Sequence, residues 1–360
     1  MELRERERII ARCERFVPAW AAPRDPAETF RALAERAGAR LDVYGGGESV
    51  KRLETRVAEL LGKEAGALFP SGTMAQQIAL RILCERSGYF AVGFHPQCHL
   101  DVHEERGYAH LHGLQARPIG NRDRLIERAD LEGVSDPLGA LLLELPQRDV
   151  GGQLPVWRAL RAQAAWARAN GVALHLDGAR LWQCAPFYGR GLDEIAKLFD
   201  TVYVSFYKDL GAPGGAMLAG AAAVIDEARV WRIRHGGRLF TTYPFLLAAE
   251  RGLEEVLPRM PEFVARATEL AAALVDLDGI DVLPDPPQTA MFHVFVRREL
   301  EPLNEAALDV AERTRTFIGS FRPTEVPWTQ MGELTIGAAG LDVPVEEARE
   351  LYREVLDASA

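Results

Sequence analysis

Six short apolar runs recur between residues 66 and 220: GALF, YFAVGF, GALLLELP, VALHLD, TVYVSFY and GAMLAG. Helical patterns fill the intervals at 73–86 and 156–169. Runs this apolar suit strands covered on both faces, and the alternation with helices supplies the cover. The pattern predicts an α/β fold with a mostly parallel sheet between helices. In such sheets ligands bind just past the carboxyl ends of the strands, so chemistry is expected where each run stops.

The 360 residues divide into three stretches on pattern. Residues 1–40 are charged and helical, interrupted by PAWAAPRDP. Residues 41–245 form the large domain and include the glycine loop LDVYGGGESV and a helix at 50–61. Residues 246–360 read as a smaller α+β C-terminal domain that the N-terminal segment can complete. Its helices are expected at 245–276, interrupted by Pro258 and Pro261, at 304–317 and at 344–357. A net charge of −10 argues against nucleic acid as a partner. The longest apolar stretch, GGAMLAGAAAVI, is too short to span a bilayer, and MELRERERII has no apolar core of a secretory signal. Four cysteines without a CxxC pair suit free thiols in a reducing cytoplasm. A cytoplasmic protein is expected, with no membrane partner.

Of 42 basic residues only four are lysine: Lys51, Lys63, Lys197 and Lys208. Lys51 and Lys63 bracket a helical pattern, and Lys197 lies in another. Lys208 ends the alternating run TVYVSFYK, just before a glycine loop. A lysine amine can lose its proton and attack a carbonyl, which a guanidinium cannot. Either a surface lysine at a strand end or a reactive amine satisfies the pattern. Asp177 ends VALHLD one βαβ unit earlier and can cap the next helix or hold a pyridinium nitrogen. Ser71, Gly72 and Thr73 stand between an apolar run and a helix. They read as an anion cup at a helix N-terminus or as a plain N-cap.

A phosphate cup, an acid for a ring nitrogen and a lysine for an aldehyde suit one cofactor, pyridoxal 5'-phosphate. DVYGGGESVKRLE, FPSGTMAQQIAL, HLDGARLW and YKDLGAPGGAMLAG resemble the threonine aldolase branch of the β-eliminating lyase family, of the aspartate-aminotransferase fold type. The resemblance covers roughly residues 41–220. It implies that Lys208 bonds the cofactor aldehyde, that Asp177 partners the pyridine nitrogen, and that Ser71, Gly72 and Thr73 hold the phosphate. It assigns Arg180 to the cofactor phosphate region or the substrate carboxylate. It assigns His99, in CHLDVHEERG, to stacking on the cofactor ring and to the substrate β-hydroxyl proton. The implied reaction cleaves a β-hydroxy-α-amino acid to glycine and an aldehyde. The alternative is β-elimination, racemisation or transfer on another amino acid. The implied assembly is a homodimer or homotetramer, with Tyr44 in a loop near the subunit interface.

The chain departs from the family at four places. The opening segment reads WAAPRDPAETF, Gln147 replaces a histidine, Ile336 stands in place of an arginine, and a glycine-rich segment reads GGRLFTTYP. Residues 95–112 hold five histidines and Cys98, but no zinc spacing such as HExxH, and no metal is expected.

Overall fold

The computed structural model describes residues 3–22, 25–38 and 42–360. Pro23 and Arg24 of WAAPRDPAETF and Leu41 of LDVYGGGESV lie outside the described residues, as do residues 39 and 40 of the N-terminal stretch. The chain separates into two compact units: a larger one of 30–150 and 154–258, and a smaller one of 1–29, 151–153 and 259–360.

The larger unit is built on a sheet with seven strands among the described residues. They are β1 (Ala65–Phe69), β2 (Ala91–Phe94), β3 (Gln115–Pro118), β4 (Ala140–Glu144), β5 (Ala173–Gly178), β6 (Thr201–Ser205) and β7 (Ala216–Gly220). Their order is β1-β7-β6-β5-β4-β2-β3. β7 runs antiparallel to both its neighbours, and the remaining pairs are parallel. This is the α/β architecture the alternating runs predict.

Two strand readings change. TVYVSFY alternates in sequence, yet every residue of β6 is buried and the strand stops at Ser205. Tyr203 faces the interior because helices cover both sides of a central strand, so polar hydroxyls there point to internal partners. Lys208 therefore follows the strand in a bend rather than ending it. β3 has no apolar run because it is an exposed edge strand.

The smaller unit carries an antiparallel sheet of β8 (Ile280–Leu283), β9 (Met291–Val296), β10 (Arg322–Pro323) and β11 (Gln330–Thr335), in the order β10-β11-β9-β8. Helices Met260–Val275, Leu300–Thr314 and Val345–Ala358 bury their apolar faces with this sheet, around Leu274, Phe292, Val310, Leu334 and Val355. The helix expected at 245–276 is Tyr243–Arg251, a π turn at Gly252–Val256, a 3₁₀ turn at Leu257–Arg259, and then Met260–Val275. Pro258 falls in the 3₁₀ turn and Pro261 in the first turn of Met260–Val275, where a missing N–H donor is tolerated. In the N-terminal segment Arg15–Phe16 pairs in parallel with Thr316–Phe317. Among the described residues no helix is long and apolar enough to cross a membrane.

Candidate active site

The candidate residues of the larger unit follow the carboxyl ends of its strands. Asp177, on β5, is 2% exposed and its Oδ1 accepts the Ala179 N–H at 3.0 Å. β4 places Glu144 in direct register with Asp177. Two carboxyl groups thus stand side by side at one rim of the sheet. Burial pushes the Glu144 carboxyl up to about 8, with repulsion from Asp177 and then Asp149 adding to the effect and Lys208 opposing it. Gln147 Nε2 donates to Glu144 Oε2 at 3.0 Å, and the Arg148 N–H points to Oε1 at 3.4 Å.

Lys208 enters from the bend after β6. Burial holds its amine below the ordinary lysine range, and the Arg180 guanidinium adds to this, while Asp177, Glu144 and Asp209 oppose it. An amine lowered in this way gives up its proton more readily than an exposed lysine, which is what a nucleophilic role needs. Asp209 is pushed up to about 6 by burial. Its Oδ1 accepts the Gln183 amide at 2.6 Å, whereas Oδ2 is buried without a hydrogen-bond partner. Arg180 acts on both Lys208 and Asp209, so the residues the sequence separates by one βαβ unit share one electrostatic cluster.

Ser71 is the N-cap of the helix Gly72–Ser87, and its hydroxyl accepts the Met74 N–H at 3.3 Å. The plain N-cap reading is therefore satisfied, and the remaining N–H groups of the first turn keep the positive end of the dipole. Gly72 is required sterically, since a Cβ there would collide with the Tyr203 hydroxyl. Tyr203 and Tyr207 join their hydroxyls at 3.0 Å, and the Gly72 backbone hydrogen-bonds Tyr207. Thr73 is half-buried in the same turn.

His99 opens the short helix His99–Val102 after β2. Its Nδ1 lies 3.0 Å from Oε1 of the buried Glu104, and its ring lies 5.0 Å from that of His103. Two other histidines of the 95–112 stretch, His95 and His112, serve elsewhere. His95 bridges the Arg124 carbonyl and the Gln97 N–H. His112 stacks on His235 with Nε2 atoms 3.1 Å apart, and burial lowers it to about 4. Among the described residues no group of three or more His, Cys, Asp or Glu side chains is arranged to hold a metal ion.

Glu144 and the Asp42 clasp are not singled out by sequence. Glu144 carries a visible signal, an acid ending the apolar run GALLLELP as Asp177 ends VALHLD. Asp42 accepts Thr241 Oγ1, Thr242 Oγ1 and the Thr242 N–H, each at 2.8 Å. It fastens the DVYGGGES loop to GGRLFTTYP, which nothing in either segment announces. Ile336 lies in the smaller unit, 2% exposed within its apolar core, with its N–H donated to Ala290.

The β-eliminating lyase family pattern matches residues 25–298. The chain is 31% identical to a low specificity L-threonine aldolase of Escherichia coli K12, over 78% of this chain and 84% of that one. It is 29% identical to low-specificity L-threonine aldolase 1 of Arabidopsis thaliana, over 71% and 74% of the two chains. A crystal structure from Listeria monocytogenes, assigned as an L-allo-threonine aldolase, superposes with a TM-score of 0.94 at 32% identity, covering 99% of both chains. With a sheet rim that gathers a buried acid, a helix N-terminus and a deprotonation-prone lysine, and with a family match across most of its length, this chain belongs to the β-eliminating lyases.

Proposed function

We propose that the protein is a pyridoxal-phosphate-dependent lyase that cleaves a β-hydroxy-α-amino acid to glycine and an aldehyde. The observation that carries the reading is Lys208. One of four lysines in an arginine-rich chain, it stands past a central strand with its amine lowered by burial and Arg180, beside the buried Asp177. The donor set fits the cofactor. The first turn of Gly72–Ser87 offers N–H groups, with Ser71 and Thr73 beside them, for a phosphate. Asp177, with one oxygen held by Ala179 N–H, can accept a ring N–H from its buried position. Arg180 supplies a cation for a phosphate or a substrate carboxylate.

When bound, the cofactor supplies an aldehyde for amines and a sink for the electrons of a breaking bond. The chain's own residues do the rest. Lys208 would hold the cofactor through its amine, the group a substrate amine would replace. Asp177 would accept the ring N–H and so keep the ring nitrogen protonated. His99, fixed by Glu104, would stack on the ring. The fold excludes water from Asp177 and Glu144, which strengthens each charge contact.

Homodimer or homotetramer assembly belongs to the same proposal. It is supported by the exposed aromatic pair Tyr44 and Phe240, 5.3 Å apart, with Val43 and Tyr243 also exposed. A cytoplasmic location is supported by four buried, unpaired cysteines. Incubation with threonine or phenylserine should release the matching aldehyde and glycine from protein that shows a visible cofactor band, lost on borohydride reduction. Bound cofactor with no aldehyde from either substrate would remove the aldolase reading and favour elimination or racemisation.

A further inference from the structure

A second imidazole lies next to His99. His103 follows the turn His99–Val102, and the two rings face each other at 5.0 Å with a 46° tilt. His103 Nε2 is 2.8 Å from Asp149 Oδ2 and 3.3 Å from Arg148 Nη1. A single nitrogen cannot donate to the carboxylate and accept from the guanidinium at once. The shorter contact, to the carboxylate oxygen, prevails, so the proton sits on Nε2 and the lone pair on Nδ1. The Asp149 side chain is 8% exposed and that of His103 is 29% exposed. Arg148 Nη1 stands 3.6 Å from Asp149 Oδ1.

A buried carboxylate that fixes the tautomer of a more exposed imidazole is the arrangement of a general base. The dyad is also joined to the site. Asp149 acts electrostatically on Glu144, which is in register with Asp177. Gln147 Nε2 reaches the Gln97 carbonyl at 3.3 Å, and Gln97 Nε2 reaches the Asp149 carbonyl at 3.5 Å. Gln147 itself has no titratable group, and His99, held at Nδ1 by Glu104, is the imidazole already given to stacking on the cofactor ring.

We propose that His103, oriented by Asp149, is the base that takes the β-hydroxyl proton of the amino-acid substrate on its Nδ1. This rests on the aldol reading above. The O–H bond breaks as the Nδ1–H bond forms. The oxygen electron pair becomes the second bond of the aldehyde carbonyl while Cα–Cβ breaks. The pair released at Cα ends in the new Cα–H bond of glycine, so one proton leaves oxygen, one arrives at carbon, and no oxidant or reductant is needed.

Exchange of the glycine α-proton with deuterated water separates this role from others, because it uses the same holoenzyme without any β-hydroxyl. His103→Gln should lower kcat for threonine cleavage by about 10²–10³-fold. Its glycine exchange rate and cofactor absorption should match the wild type. Asp149→Asn should lower cleavage in the same direction. In nitrogen-15 spectra of the holoenzyme, His103 should show a protonated Nε2, and that preference should weaken in Asp149→Asn. Cleavage by His103→Gln at the wild-type rate would overturn the role of His103 alone. Equal loss of cleavage and exchange would also overturn it, by assigning His103 to the cofactor or the fold. A wild-type enzyme that exchanges glycine but releases no aldehyde would overturn the aldol reading and this role together.

Discussion

The two sheets of this molecule treat charge in opposite ways. The Asp, Glu and Arg residues buried as whole residues among the described ones, namely Asp42, Glu54, Glu144, Asp177 and Arg232, all belong to the larger unit. The smaller unit buries apolar side chains such as Ile280, Phe292, Val294 and Leu334 around its sheet. Burying a charge is costly unless it is paired, so each instance calls for a reason. Three of the five have a structural one. Asp42 is saturated by two threonines. Glu54 accepts the Leu68 N–H and Arg229, and Arg232 donates to the Leu68 carbonyl through Nη1, although its Nε is buried without a hydrogen-bond partner. Glu144 and Asp177 are different. They press against each other at the strand ends, near Lys208, whose amine burial lowers, and the incompletely satisfied Asp209. Charge that is buried and satisfied holds a fold together. Charge that is buried and left under tension marks the place where a ligand completes the set.

The largest effect should come from substitution at that rim. Lys208→Arg keeps the charge and most of the length, so the protein should fold and retain its thermal transition. A guanidinium is not a usable nucleophile, so the visible band that borohydride abolishes should be missing and kcat should fall by about three orders of magnitude or more. Lys197→Arg, on an exposed position, should match wild type in both measurements. Lys63 is not an equivalent control, because it donates to the Phe199 carbonyl from a partly buried site. A Lys208→Arg protein with near-normal turnover would erase the distinction between the rim and the paired charges.

A smaller effect is expected one layer away. Gly72→Ala sets a methyl group against the Tyr203 hydroxyl, which is buried and joined to Tyr207. Either the helix start or the tyrosine pair must move. Overpacking of this kind costs about 1–3 kcal/mol of stability. Because the same turn offers the N–H groups of the anion cup, cofactor affinity should weaken about tenfold, the equivalent of ~1.4 kcal/mol. Titration of cofactor-free protein with pyridoxal phosphate measures this directly, and unchanged affinity would separate the turn from the phosphate.

What the sequence makes legible follows from how local each signal is. Asp177 ends an apolar run directly before Gly178, and Lys208 follows one three residues before Gly211, so strand, turn and candidate group are read within a few residues. Ser71 and Gly72 are equally local. Glu144 satisfies the same rule, yet its meaning comes from the register that sets it against Asp177, which is a property of two strands. His103 and Asp149 are 46 residues apart, and only the loops after β2 and β4 bring them together. β3 escapes because an exposed edge strand has no need of an apolar run. The stretch 95–112 shows the reverse case. Its histidines look like one cluster in sequence, but the fold sends His95, His99, His103 and His112 to four different partners.

The smallest effect should come from the apolar sheet, and it sharpens the contrast from the other side. Ile280 lies on β8, 3% exposed, opposite Val296 of β9. Ile280→Val removes one methyl group without introducing charge or altering backbone hydrogen bonds. The lost burial and the small void together cost about 1 kcal/mol. Chemical denaturation should therefore show a lower midpoint with an unchanged slope, since the surface exposed on unfolding is nearly the same. With no ionisable group involved, kcat and the pH profile should both overlay the wild type. If Ile280→Val instead shifted the pH profile, the smaller sheet would be tuning the charges at the rim of the larger one, and the separation between a sheet that stores charge and a sheet that only packs would fail.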